Sequence, residues 1–341
     1  MPDAPSPAKI VDIARGFQRT KILFAASRLG VFDALSGGAL TGEELRVRLG
    51  LHPRAIPDFP DALVALGLLA RDGDGPGARY ANTPETGHFL VSGSDAYMGG
   101  FLAMFNDRLY PFWGNLEDAL RTGKPQNETK HGGASMFEEL YREPARLEQF
   151  ISAMSGISRP NFVRLAEQFD FDRYGTLCDV GGAAADLSSA VAARHPKIKC
   201  TSFDLPAVEP IARAAIARRG LADRVATAAG DFFRDPLPRA DVVTMGMILH
   251  DWNLEKKMAL IRAAHAAVND GGVYIAVEHL IDDARRENAF GLTMSLNMLI
   301  EFGDAFDYSG ADFDGWAREV GFRRTEVVPL AGPGSAAVAY K

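Results

Sequence analysis

At 341 residues, with 47% hydrophobic and 24% charged side chains, the chain has material for two globular domains. A net charge of -7 argues against a nucleic-acid or anionic-membrane partner, since both select basic surfaces. Two cysteines, Cys178 and Cys200, cannot make a disulfide framework; no apolar run reaches membrane-spanning length, and the opening MPDAPSPAKIVD lacks a secretion signal, so a cytoplasmic protein is expected.

Residues 8–35 carry the apolar spacing of one or two helices. In TGEELRVRLG, Thr41 is followed three residues later by Glu44, the pattern of a capping box at a helix start. DFPDALVALGLLARDGDGPGARYANTP then reads as a helix followed by a Gly-rich hairpin, which together suggest a winged helix. A helix that reads DNA needs cationic or amide side chains at its front, whereas this one carries Asp58 and Asp61 and is otherwise apolar. That face suits burial against a second subunit, so residues 1–100 are expected to form a winged-helix-like dimerisation domain of a homodimer. Residues 97–165 read as helical and rich in Met and aromatics, a composition that suits a cavity wall and a core equally. The stretch 101–165 is expected to be a helical connector contributing to a substrate pocket.

The remainder, 166–341, alternates short apolar runs with helical patterns, the signature of a doubly wound Rossmann-like α/β sheet. Strands are predicted at Thr176–Gly182, Lys199–Leu205, Arg224–Gly230, Asp241–Leu249, Val273–His279, Arg323–Leu330 and Ala336–Tyr340. DLSSAVAARH, AVEPIARAAIARR and LEKKMALIRAAHAAV supply helices between them, the last expected to end on Gly271-Gly272 as a C-cap. Gly-Pro-Gly-Ser joins the final two strands as a hairpin, so the sheet closes with an antiparallel strand.

Ligands of such sheets bind beyond the carboxyl ends of the strands, near the switch in strand order. Gly181 and Gly182 end the first strand and permit close backbone approach to a ligand. Asp204 ends the second in SFDLP, where a carboxylate can accept both hydroxyls of a ribose. Asp231 and Phe232 follow the third in AGDFF, an acceptor and a ring suited to adenine. His250 closes the fourth in ILHDW. Asp251 is expected to cap the next helix, and His279 to project away from Glu278 across its strand. His52, His88, His131, His195 and His265 are read as structural. His250 with Asp251 resembles part of a metal-binding facial triad, but Asn297 and Met298 occupy the place a second histidine would need, so no metal is expected.

CDVGG, FDLP, GDFFRDPLP, ILHDW, SLNMLI and the terminal hairpin, taken together, resemble the hydroxyindole (acetylserotonin) and plant-type small-molecule O-methyltransferases from end to end. The resemblance implies S-adenosylmethionine as cofactor, held by Gly181, Gly182, Asp204, Leu205, Asp231 and Phe232. It implies His250 as general base, oriented by Glu278, acting on a hydroxyl of a hydrophobic, aromatic small molecule. Met294, Asn297, Met298 and Phe302 fall on a helix expected to face that substrate.

Three departures stand out. Ala183 and Ala185 replace glycines of the family's loop; if those positions need positive φ, each costs about 1–2 kcal/mol, expected to weaken cofactor binding without abolishing it. Gly246 stands where relatives often place a basic residue. EFGDAFDYSG replaces the segment supplying a second catalytic acid, leaving Asp307 and Glu301 as rivals. These losses keep open an alternative, an enzyme of this fold that has lost methyl transfer and performs another reaction on a polycyclic natural product.

Overall fold

The computed structural model describes residues 5–94, 96–131 and 140–341. The chain divides into two units, Met1–Pro111 and Phe112–Lys341. In the first, helices Ala8–Ala14, Gly16–Arg28 and Val31–Ala34 precede a small antiparallel sheet of β1 (Leu40–Thr41), β2 (Leu69–Asp72) and β3 (Arg79–Asn82), ordered β1-β3-β2. The Thr41 hydroxyl accepts from the Glu44 amide at 3.2 Å, and Glu44 accepts from the Thr41 amide at 2.7 Å, so the expected capping box starts helix Gly42–Leu49. Phe24, Val31, Phe32, Leu45, Leu63 and Tyr80 form the core. Asp58 and Asp61, on helix Asp58–Ala65, pair with Arg54 and Arg71. Ile10, Ile13 and Phe17 stay exposed at 73%, 70% and 55%.

The second unit is built on β4 (Thr176–Val180), β5 (Lys199–Asp204), β6 (Val225–Ala229), β7 (Ala240–Gly246), β8 (Val268–Glu278), β9 (Arg324–Pro329) and β10 (Ser335–Tyr340), in the order β6-β5-β4-β7-β8-β10-β9. The first five pair in parallel; β10 runs antiparallel to both β8 and β9. Strand order reverses between β4 and β7, which places the switch point beside Gly181 and Gly246. Val180, Val243, Met245, Tyr274 and Ala276 are sealed in one core cluster with helix Leu254–Ala267, and Leu177, Val242 and Ile275 in another with helix Asp186–Arg194. Cys178 and Cys200 are free and buried, and burial pushes both thiols up to about 12. Among the described residues no helix is long and apolar enough to cross a membrane.

Two expectations need correction. Gly271-Gly272 is not a helix cap: the helix ends at Ala267, Val268 already pairs with Ala240, and Gly271, at φ +78°, lies where the register shifts. The fourth strand of the parallel series stops at Gly246 rather than Leu249, because Met247 takes φ +57° and turns the chain away.

Candidate active site

The loop after β4 is drawn tight against the tip of β5. Gly181, at φ +69°, donates to the Phe203 carbonyl at 2.8 Å. A β-carbon on Gly181 would lie 2.4 Å from Ile248 Cδ1, and one on Gly182 2.3 Å from Ser202 Oγ. A side chain at either position would force Ile248 or Ser202 to shift. Ala183 and Ala185 follow with φ of +47° and +57°, so the left-handed geometry is kept without the residue that adopts it freely. Arg219 holds the loop from outside: its guanidinium donates to the carbonyls of Ala184 and Ala185 at 3.0 and 3.2 Å and to Ser189 Oγ at 3.1 Å, and pairs with Asp186. Asp179, one residue before the end of β4, accepts from Thr244 Oγ1 at 2.8 Å and from the Ser188 amide at 3.3 Å; burial raises its pKa to about 7. Neither Arg219 nor Asp179 stood out in the sequence, because an interior arginine–carbonyl clamp has no local signature.

At the tip of β5 the Asp204 carboxyl accepts from the Ala183 amide at 2.8 Å and the Leu205 amide at 2.7 Å, one bond to each oxygen. Burial raises its pKa while those amides oppose the shift. A carboxylate with both oxygens so engaged retains lone pairs for further donors. Asp231 sits in the turn beyond β6, accepting from the Phe233 amide at 2.9 Å, and the Phe232 ring lies against Gly181's α-carbon face and edge-on to Trp252. Tyr141 belongs to the same neighbourhood: burial, reinforced by Asp204, Asp251 and Asp231, pushes its phenol up to about 12. A buried carboxylate, a second acid beside an aromatic ring and a glycine turn are thus gathered at three strand ends, a set that fits a nucleoside cofactor.

Gly246 is not an empty place: a β-carbon there would lie 2.8 Å from the ring of Phe162, carried by helix Pro144–Gln168. The position expected for a basic residue is filled by an aromatic ring from a distant segment.

His250 lies on a short 3-10 turn, Leu249–Asp251, four residues past β7 and almost fully buried. Its Nδ1 is 3.6 Å from Asp307 Oδ1 and its Nε2 is 3.4 Å from Asp251 Oδ1. Asp251 is therefore not the helix cap expected of it; Asn253 caps helix Leu254–Ala267 by accepting from the Lys256 amide at 3.0 Å. Glu278 accepts from the Leu249 amide at 2.9 Å through one oxygen, anchoring the turn, while its other oxygen is buried with no hydrogen-bond partner among the described residues. Asp307, rather than Glu301, is the acid the structure sets beside Nδ1. Burial pulls the His250 pKa down, but Asp251, Glu278 and Asp307 outweigh it and lift it to about 10. Burial likewise raises Asp251 to about 6 and Glu278 to about 7. His250, Glu278 and Asp307 bring ligand-type atoms within 4.8 Å of one another, the one such trio among the described residues. It contains a single histidine, and one of its carboxylates is committed to a backbone amide.

Helix Ala289–Phe302 carries the four residues expected to meet substrate. Met298 is 5% exposed, Met294, Asn297 and Phe302 are half-buried, and Asn297 accepts from the Trp113 indole at 2.9 Å. His279 is buried and edge-on to Phe290.

A parallel sheet with a nucleoside-type cradle at its switch point and a buried imidazole among acids beyond its next strand defines a nucleoside-cofactor group-transfer enzyme. Residues 113–323 match the O-methyltransferase domain family and residues 11–92 the O-methyltransferase dimerisation domain, and the chain belongs to that family. It is similar to the tetracenomycin polyketide synthesis 8-O-methyl transferase TcmO of Streptomyces glaucescens, 36% identical over 335 residues that cover 98% of this chain and 97% of that protein. It is similar also to the N,N-dimethyltransferase OxyT of Streptomyces rimosus, 35% identical and covering 92% of this chain and 90% of that one. Human N-acetylserotonin methyltransferase, solved in complex with SAM, superposes with a TM-score of 0.89 at 28% identity, covering 100% of this chain and 99% of that one. The chain is thus an S-adenosylmethionine-dependent O-methyltransferase.

Proposed function

We propose that the protein methylates a hydroxyl of a hydrophobic, aromatic small molecule of polyketide or hydroxyindole type, with His250 as general base. The observation that carries this reading is the imidazole buried between carboxylates, 3.6 Å from Asp307 and 3.4 Å from Asp251. S-adenosylmethionine, when bound, supplies an electrophilic methyl on a sulfonium. Gly181 and Gly182 shape its loop, Asp204 and Leu205 receive the ribose, and Asp231 and Phe232 the adenine. Ionising a phenol of pKa about 10 at pH 7 costs about 4 kcal/mol. With the cofactor bound, His250 in its neutral form would offset that by accepting the hydroxyl proton on Nε2. Asp307 faces the Nδ1–H and, with Glu278, stabilises the imidazolium, as an acid does behind a catalytic histidine elsewhere. Met294, Asn297, Met298 and Phe302 contact the acceptor. The enzyme works as a cytoplasmic homodimer through its first hundred residues, a reading supported by the dimerisation-domain match and the exposed Ile10, Ile13 and Phe17.

The alternative of a chain that has abandoned methyl transfer is not favoured, given named methyltransferases at 35–36% identity along most of its length. The test is a screen of phenols, hydroxyindoles and, because of OxyT, amines, read by formation of S-adenosylhomocysteine. On an accepted hydroxyl, His250→Ala should cut turnover about 100-fold or more. A near-normal rate removes His250 from the mechanism.

A further inference from the structure

Among the described residues Lys257 is the one fully buried ammonium. It lies on helix Leu254–Ala267 with 0% exposure, on an amphipathic stretch whose pattern gives no reason to bury an ammonium. Taking such a charge out of water is costly unless it is closely partnered. The partners are specific. Nζ donates to the Trp252 carbonyl and, at 2.7 Å, to the Phe306 carbonyl. It also sits 3.8 Å from the centre of the Phe306 ring and 5.8 Å from that of Tyr308. Trp252 immediately follows the turn that presents His250 and Asp251, and Phe306 immediately precedes Asp307.

We propose that Lys257 is a positioning residue for catalysis: one buried ammonium clips together the two backbone segments that carry His250 and Asp307, and sets a positive charge beside their acid cluster. The inference rests on the role given to His250 above. Asp307 and the imidazole arrive from segments more than fifty residues apart and lie 3.6 Å from each other; Asn253 Nδ2 donates to Asp304 Oδ2 at 2.8 Å between the same two segments, a side-chain tie that leaves their backbones unjoined. Lys257 joins those backbones. Its second contribution is electrostatic. Asp251 of the turn, Glu278 of β8, and Asp304 and Asp307 of the loop after helix Ala289–Phe302 all act on the ammonium, with His250 the other titratable group in the cluster. Burial lowers the Lys257 pKa to about 8 and these acids oppose the fall, so at neutral pH the residue is a cation. Reciprocally, the cation opposes the burial that raises Asp251 and Glu278, favouring their ionised forms, the state in which they can stabilise an imidazolium.

The experiment compares the full-length wild type with Lys257→Met, of similar length and apolar, and with Lys257→Arg, which restores charge and donors. Folding is checked by circular dichroism and S-adenosylhomocysteine affinity by calorimetry. The expected result is a tenfold or larger fall in kcat for Lys257→Met, with KM for S-adenosylmethionine and the affinity for S-adenosylhomocysteine within about threefold of wild type. The rising limb of the kcat–pH profile should also move to higher pH, because the imidazole, Asp251 and Glu278 hold protons longer once a neighbouring cation is lost. Lys257→Arg should recover part of both effects. An unchanged pH limb overturns the proposal even if kcat falls, since a purely structural lysine would lower activity without moving it. Should Met at this position prevent folding, Lys257→Gln keeps N–H donors without the charge and must show the same displaced limb. His250→Ala, run alongside, separates the two ideas. A full-rate His250→Ala defeats the general-base reading, whereas a slow His250→Ala beside a normal Lys257→Met defeats this one alone.

Discussion

Replacing each loop alanine by glycine tests where the strain in the cofactor loop is felt. Ala183 and Ala185 sit at φ +47° and +57°, a conformation that costs an L-residue about 1–2 kcal/mol. Because the folded loop already holds both angles, that cost belongs to folding; it would enter the cofactor's affinity only if the loop relaxed without ligand. The two positions then differ in what the methyl does. Ala185 is 0% exposed in the cluster with Leu187 and Val191, so removing its methyl gives back about 1 kcal/mol of burial, and glycine's extra freedom when unfolded takes a further part. Ala185→Gly should therefore leave stability within about 1 kcal/mol of wild type. Ala183 is half-buried and its amide bond to Asp204 survives the change, so Ala183→Gly should stabilise by roughly 0.5–1 kcal/mol. Urea denaturation reads both values, and titration calorimetry with S-adenosylhomocysteine should give a Kd within about threefold of wild type for each variant. A tenfold tighter complex in Ala185→Gly would refute the reasoning, because it would mean the loop is not preformed and the strain falls on binding.

The acid cluster that lifts His250 to about 10 leaves the free imidazole protonated at pH 8, whereas a general base must be neutral. A cation entering beside it opposes the shift, so binding S-adenosylmethionine at pH 8 should release protons, while the uncharged thioether S-adenosylhomocysteine should release far fewer. Calorimetry in buffers of different ionisation enthalpy counts them; equal counts for the two ligands would contradict the coupling. Gly246→Ala drives a methyl into the Phe162 ring, 2.8 Å away, and should destabilise by about 1–3 kcal/mol in urea denaturation; wild-type stability would show that the ring yields freely. Aspartate at both Ile10 and Ile13 should convert a dimer to a monomer by light scattering, and an unchanged mass would place the dimer contact elsewhere.

Local rules were readable wherever they acted through neighbours in sequence. The Thr41–Glu44 box, the alternating strands and the terminal hairpin each depend on residues a few positions apart, and each formed as expected. The structure departs from these local rules where a distant partner or an unusual backbone angle decides the outcome. Met247 adopts a left-handed angle that no residue preference announces, which shortened β7 and lifted His250 onto a separate turn. Asp251 is of a type that often caps a helix, but Asn253 takes the cap and Asp251 faces His250 instead. Glu301 and Asp307 could not be ranked from spacing alone, since the loop between them sets which one reaches the imidazole. Phe162 and Lys257 were invisible for the same reason: their roles lie in contacts with Gly246 and with Trp252 and Phe306, far from them or hidden in backbone carbonyls.

Arg219 gives the degenerate loop its meaning. Four groups of the loop and its helix, the carbonyls of Ala184 and Ala185, the Ser189 hydroxyl and the Asp186 carboxylate, are gripped by one side chain that is not part of the motif. A turn held from outside does not depend on its own letters alone for its shape: Ala185 keeps a left-handed angle while its carbonyl is fixed by a guanidinium thirty-four residues downstream. The loop's rigidity is thus a property of the helix that carries Arg219 to it as much as of the loop itself.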